Sequence, residues 1–211
     1  MKILELFSGT GSFSKVSKER GHETFTVDCE DWHNPDLVKN ILFLKKEEIP
    51  FKPDIIWASP PCQTFSVMSN FREWAFPIPR TSRAARHLGH VLKTLELIKE
   101  LEPKHWFIEN PRGLLRKFPF MEEINRRTVT YCQYGLDYMK PTDIWTSLLS
   151  WKPRKMCRNG DPCHVNAKRG SVKGIQGLKA TYGFSKEDRA LRSIVPRELC
   201  LEIIKCCEEA E

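Results

Sequence analysis

The chain has 211 residues, 40% hydrophobic and 29% charged, which suits one full α/β domain and is short for two. No apolar run approaches the roughly 20 residues of a membrane span, and the start, Lys2 to Phe7, lacks a secretory pattern; a cytoplasmic protein is expected, whose eight cysteines would serve metal binding or catalysis before disulfides. The net charge of +7 is local: residues 151–173 carry seven Lys or Arg against one Asp, while 198–211 is net acidic. Such a patch suits a polyanion such as nucleic acid, and a solvated loop can also be basic.

Lys2 to Phe7 reads as a short buried strand ended by Ser8-Gly9-Thr10-Gly11. Phe13 and Val16 stand at helical spacing, and Gly21 is placed to end that helix. Thr24 to Val27 looks like a second strand, closed by Asp28. Strand, Gly-rich turn, helix, strand and acidic residue open a doubly wound nucleotide-type fold. Glycines let the backbone approach a ligand, and the carboxylate can accept ribose hydroxyls. The turn lacks the full G-x-G-x-x-G, which points to an adenosine ligand other than a dinucleotide; a turn with no ligand is the plain alternative. Asn40 to Leu44 is placed to close the adenine side.

Asp54-Ile-Ile-Trp-Ala-Ser-Pro-Pro-Cys62-Gln63 is the most telling stretch. Two prolines stiffen the exit of an apolar strand and present a thiol where α/β folds place their chemistry. It is a nucleophile or an ordinary thiol in a turn. Residues 67–86, with several arginines and Trp74, show no period and read as a mobile loop. Leu88, Val91, Leu92, Leu95, Ile98 and Leu101 predict an amphipathic helix ended by Pro103. Trp106 to Ile108 reads as a strand, with Glu109-Asn110-Pro111 after it, one βα unit beyond Cys62. Thr128 to Cys132 and Asp143 to Thr146 predict an antiparallel pair about a Gln133-Tyr-Gly135 turn. Residues 147–183 have little periodicity, Ser185 is a candidate cap of a short helix, and 197–207 reads as a final helix behind Pro196.

Phe7-Ser-Gly-Thr-Gly11, Pro60-Pro-Cys62-Gln63 and Glu109-Asn110-Pro111, in this order, make the chain similar to the cytosine carbon-5 DNA methyltransferase family, and especially to its small phage-encoded members. The resemblance covers roughly residues 1–146 and 191–207. It implies a Rossmann-like S-adenosylmethionine-dependent methyltransferase fold with a mostly parallel sheet. The whole chain would be one domain, with 147–191 a reduced basic recognition-type insert and 192–211 a C-terminal helix packing back on the core.

By matching position, S-adenosylmethionine would be held by Phe7, Ser8, Gly9, Thr10, Gly11, Asp28, Asn40, Ile41, Pro60 and Ser193. The family usually has Asp at the place of Asn40, whose carbonyl oxygen can still accept from the adenine amine; Cys29 stands where an aromatic or apolar residue often stacks, and Ser193 where an Asn contacts the cofactor. Cys62 would add to carbon 6 of cytosine, Glu109 would hydrogen-bond ring nitrogen 3, and Lys140, at the first arginine of the family's Gln-x-Arg-x-Arg run, would complete the catalytic set; Thr142 takes the second. Gln63, Ser66, Arg72, Arg83, Lys152, Arg154, Lys155 and Arg158 would meet nucleic acid. The reaction implied is DNA cytosine-5 methylation with short or relaxed sequence specificity. RNA is the alternative substrate, and a nucleic-acid-binding regulatory relative the alternative role.

Cys157-x5-Cys163-His164 lies in the basic segment. Such a cluster can hold zinc, although its spacing is not the usual paired one and Cys132 is only a guess for a fourth ligand. Cys200, Cys206 and Cys207 fall on the apolar face of the last helix.

Overall fold

The computed structural model describes residues 1–31, 33–66, 70–165, 191 and 193–210. Strands β1 (Lys2–Leu6), β2 (Glu23–Asp28), β3 (Leu37–Val38) and β4 (Ile55–Ala58) are followed by a two-residue hairpin, β5 (Trp74–Ala75) and β6 (Ile78–Pro79). Then come β7 (His105–Pro111), β8 (Arg126–Thr130) and β9 (Pro141–Thr146). The described helices are α1 (Ser12–Glu19), α2 (Asn70–Glu73), α3 (Ser82–Leu101), α4 (Pro119–Glu122) and α5 (Arg197–Glu209).

Seven strands form one sheet in the order β3-β2-β1-β4-β7-β9-β8. Pairing is parallel from β3 through β7, and β9 runs antiparallel to both β7 and β8. This is the doubly wound α/β sheet expected from the sequence. β4 is buried along its whole length, as a strand covered on both faces must be, which is why it reads as a continuous apolar run. The period of two divides its neighbours cleanly. Leu4, Ile56 and Ile108 face a core with Val91, Leu97 and Ile98 of α3. Ile3, Ile55, Trp57 and Phe107 face the other side, against Phe13 and Val16 of α1 and Leu199 and Ile203 of α5. Arg20–Glu208 and Arg197–Glu19 ion pairs link α1 with α5 on the surface.

Three expectations are corrected. Helix α3 begins at Ser82 rather than Leu88, capped by Thr81, whose Oγ1 accepts from the Ala84 N–H at 3.0 Å. Its first turns bury Ala84, His87 and His90 while Leu92 is exposed, so the aliphatic pattern hid them. The 67–86 stretch accordingly holds α2, the hairpin and the start of α3, with 67–69 outside the described residues. Glu109 and Asn110 lie within β7, paired with Ile144 and Asp143 of β9, rather than after it. The Ser185 cap lies outside the described residues. Among the described residues no helix is long and apolar enough to cross a membrane.

Candidate active site

At the carboxyl ends of β1, β4 and β7 lies an open cavity, the place where doubly wound sheets bind ligands. The turn after β1 forms one wall. Phe7, Gly9 and Gly11 all take positive φ, at 55°, 47° and 66°, a conformation glycine accepts freely and Phe does not. The Gly9 N–H donates to Asp28 Oδ2 at 2.8 Å, which ties the turn to the end of β2. Above the turn, a Cβ on Gly9 would stand 3.7 Å from Ser193 Oγ. Below it, Glu5 lies buried and accepts from the Ser14 N–H at 2.8 Å and the Phe13 N–H at 3.3 Å. It thus serves the first turn of α1, where orphan amides and the helix dipole favour an acid. Burial raises the pKa of Glu5 despite these donors.

The second wall is the loop 59–66, held at four points. Ser59 N–H donates to Leu6 O at 3.2 Å, and Leu114 N–H to Phe65 O at 2.8 Å. Asn110 Nδ2 donates to Pro60 O at 2.9 Å, and Trp74 Nε1 to Thr64 O at 2.8 Å. Thr64 Oγ1 lies 3.0 Å from His87 Nδ1 on α3. Gly113 is required here: a Cβ would come within 2.3 Å of Phe65 O. So braced, the loop presents half-buried Cys62 to the cavity.

Glu109 from β7 and Lys140, just before β9, face the same space. The Glu109 carboxylate is 6% exposed and accepts from the Tyr131 hydroxyl at 2.8 Å. Burial and the Glu109 charge hold the Tyr131 phenol well above its ordinary pKa, so it stays a donor. Lys140 has φ 28° and sets its Nζ 4.6 Å from the centre of the Tyr131 ring. The site therefore combines a thiol, a buried carboxyl group with a fixed donor, and an ammonium.

Of the residues expected at a cofactor, Phe7, Ser8, Gly9, Pro60 and Ser193 line the cavity. Asp28 joins through Gly9; Thr10, Gly11, Asn40 and Ile41 stand off the lining. Asn40 Oδ1 already accepts from the Leu42 N–H at 3.0 Å and lies 3.3 Å from His90 Nε2, so the oxygen expected to accept from an adenine amine is engaged. Ile41 is 1% exposed, a core side chain. Gln63 lines the cavity, and Ser66 and Arg72 are exposed near its loop. Arg83 is paired to the buried Glu73, and Arg154 donates to Gln133 O at 2.8 Å and Glu202 Oε2 at 3.2 Å; both serve the fold. Lys152, Lys155 and Arg158 are exposed. Cys157, Cys163 and His164 do not line the cavity but converge with Cys132.

Sequence reading missed Glu5, His87, His90 and Tyr131, and noted Asn110 in its motif without the bond to Pro60 O. An acid inside the apolar run Ile3-Leu4-Glu5-Leu6 is a visible signal in retrospect. His90 packs edge-on to Phe7, ring centres 5.5 Å apart, and burial lowers its pKa, but a histidine in a helix carries no such mark.

A prophage-encoded protein of E. coli described as a "putative DNA modification methyltransferase" has a similar structure, with TM-score 0.52 and 16% identity over 69% of this chain and 46% of that one. A mutant of DNMT2 from Spodoptera frugiperda is similar with TM-score 0.50 and 19% identity, over 74% and 53%. This chain spans about half the length of these solved structures. The mostly parallel seven-strand α/β sheet thus has the fold of these methyltransferase structures. Residues 1–119 match the family model described as C-5 cytosine-specific DNA methylase. A protein of Frog virus 3 (isolate Goorha) named "Probable DNA (cytosine-5)-methyltransferase" is 31% identical over 219 residues, covering 98% of this chain and all of the relative. The chain belongs to the C-5 cytosine-specific DNA methylase family, and its enzyme class is DNA (cytosine-5)-methyltransferase.

Proposed function

We propose that the chain methylates carbon 5 of cytosine in DNA through a covalent adduct on Cys62, with S-adenosylmethionine as the methyl donor. One observation carries this: Cys62, Glu109 and Lys140 share a single cavity with the Phe7–Gly9 turn. The residues present fit the cofactor. Gly9 leaves the turn without a side chain under Ser193, Asp28 is fixed beside it as an acceptor for ribose hydroxyls, and Pro60 walls the far side. When bound there, S-adenosylmethionine supplies an electrophilic methyl group.

Carbon 5 of cytosine is a poor nucleophile until something adds at carbon 6. The Cys62 thiolate forms that bond, and its electron pair pushes ring density toward carbon 5 and nitrogen 3. Glu109 enters as the acid and gives its proton to nitrogen 3 as charge accumulates there, and the Tyr131 hydroxyl donates to the carboxylate left behind. After carbon 5 has been alkylated, its proton leaves to a base, the ring double bond re-forms and the Cys62 thiolate is expelled. Lys140 supplies a flexible point charge toward base or phosphate, without the planar fork of an arginine. A base in a duplex cannot reach this cavity, so it is flipped out or presented single-stranded; Gln63, Ser66 and Arg72 lie where they can meet it.

The short 147–191 segment supports relaxed sequence specificity with affinity drawn mainly from phosphate contacts. Because Arg154 is committed to the fold, Lys152, Lys155 and Arg158 carry this role. Neutralising these three together lowers the salt slope of duplex binding by up to about 2.7; an unchanged slope excludes them. A virus-borne, cytoplasmic member is part of the same reading: the similar proteins include a viral and a prophage-encoded one, and the eight cysteines stand as thiols.

The decisive experiment offers labelled S-adenosylmethionine with DNA or RNA to the wild type and to Cys62→Ala. Label at carbon 5 of DNA cytosine, abolished by the substitution, supports the proposal. Incorporation only into RNA changes the substrate, and transfer that survives Cys62→Ala removes the covalent mechanism.

A further inference from the structure

We propose that Cys132, Cys157, Cys163 and His164 form a structural zinc site, separate from the catalytic cavity, that fastens the basic segment to the end of β8. The sequence offered three of these residues at an unusual spacing. Folding brings the fourth from 25 residues upstream of Cys157: Cys132 sits in the turn after β8, and all four ligand atoms lie within 4.8 Å of one another.

The distances are those of one tetrahedral ion. With Zn–S near 2.3 Å and Zn–N near 2.05 Å, neighbouring ligand atoms stand roughly 3.8 Å apart for S and S, and about 3.6 Å for S and N. Here Cys163 Sγ is 3.7 Å from Cys132 Sγ, and His164 Nδ1 is 3.5 Å from Cys163 Sγ and 3.8 Å from Cys157 Sγ. Cys132 and Cys157 are closer, at 3.0 Å. That is well beyond the roughly 2.05 Å of a disulfide, and metal entry separates the pair by under about 1 Å.

The surroundings fit a closed structural site. Cys132, Cys157 and His164 are buried and Cys163 is partly exposed. Gln133 Nε2 lies 3.2 Å from Cys163 Sγ, a donor placed to support a thiolate. The Cys157 N–H donates to Thr130 Oγ1 at 3.1 Å and the Val165 N–H to Asp137 O at 2.8 Å, so the ligands are held from both segments. Nδ1 faces the sulfurs, so as a ligand His164 carries its proton on Nε2, which is buried with no hydrogen-bond partner among the described residues. Three thiolates and an imidazole select zinc among the common divalent ions of a reducing compartment. On binding, the three thiols release their protons to water, the histidine stays neutral, and the site carries one net negative charge amid a basic segment. Four protein ligands leave no open position, so the ion holds structure and activates no water. Residues 152–165 bury few large apolar side chains, and a metal supplies what a core does not.

The test uses the full chain purified under reducing conditions without added zinc. Elemental analysis is expected to give about one zinc per chain, falling at least tenfold in Cys157→Ser and in Cys163→Ser, and unchanged in Cys29→Ser. Should the single variants misfold, wild-type protein stripped with a chelator and titrated with cobalt is expected to show tetrahedral d–d bands with strong thiolate-to-cobalt charge transfer. Folded, fully reduced wild type that holds no zinc and gives no cobalt spectrum overturns the proposal. So does zinc retained by a Cys157→Ser/Cys163→Ser double variant, or a Cys132–Cys157 disulfide in freshly isolated protein. Each readout is independent of methyl transfer.

Discussion

Replacing Tyr131 with Phe removes one oxygen and leaves the ring. That oxygen is fully buried and donates to Glu109 Oε1 at 2.8 Å. A hydrogen bond to a charged acceptor contributes about 1.5–3 kcal/mol, equivalent to roughly a ten- to hundredfold factor in rate if it is spent on holding Glu109 against the base. The lost contact lies on the cytosine side of the cavity, and no atom of the cofactor turn changes. Single-turnover methyl transfer at saturating DNA should therefore slow about ten- to hundredfold, while cofactor affinity by calorimetry stays at the wild-type level. A double-mutant cycle with Glu109→Gln should show the two losses to be strongly non-additive. Wild-type turnover in Tyr131→Phe, or full additivity in the cycle, would refute the reasoning that the phenol acts through Glu109.

Other outcomes follow from the same structure. Gly113→Ala forces a Cβ against Phe65 O, three residues from the nucleophile. It should cost about 1–3 kcal/mol in urea unfolding and slow trapping of the Cys62 adduct by 5-fluorocytosine DNA; a neutral result would mean that the loop is not braced there. Asp143 is wholly buried, bound by Arg116 and Thr128 and 4.0 Å from Arg126, so the double variant Arg116→Leu/Arg126→Leu strands a charge and should destabilise by about 3–5 kcal/mol, with a loss below about 1 kcal/mol refuting it. His87 has its pKa lowered from 6.5 to about 4, chiefly by burial. Below pH 6.5 the unfolded chain binds a proton there that the folded one refuses until about pH 4, so Tm should fall with pH across that window. His87→Gln should flatten that fall, and comparing the two proteins cancels Glu5, whose raised pKa acts in the opposite sense.

Much of this was visible in the residues, and the remainder was hidden for physical reasons. β4 and β7 announce themselves because strands covered on both faces are largely apolar, and the chemistry stands just after β4 and within the last residues of β7. The opening turns of α3 are hidden because their buried positions are Ala84, His87 and His90, which carry no aliphatic signal. Arg83 and Arg154 read as nucleic-acid contacts because charge is legible in sequence, whereas the partners Glu73 and Glu202 that claim them come from elsewhere in the chain. Tyr131 and Cys132, in the turn after β8, find their partners in Glu109 and Cys157 from distant segments, and no local pattern records that.

The reversed direction of β9 has a consequence for where the chain beyond it is fastened. An antiparallel last strand starts where its neighbours end, which is how Lys140 reaches the cavity. It then carries residue 147 to the opposite end, beside the start of β7, and the following stretch travels back until Cys157 meets Cys132. Val165, bonded to Asp137, and Ser193, over Gly9, are thus two anchors at one rim. Both anchors lie outside every strand, so the ends of the stretch between them are fixed without drawing on the sheet that holds the bond-making groups.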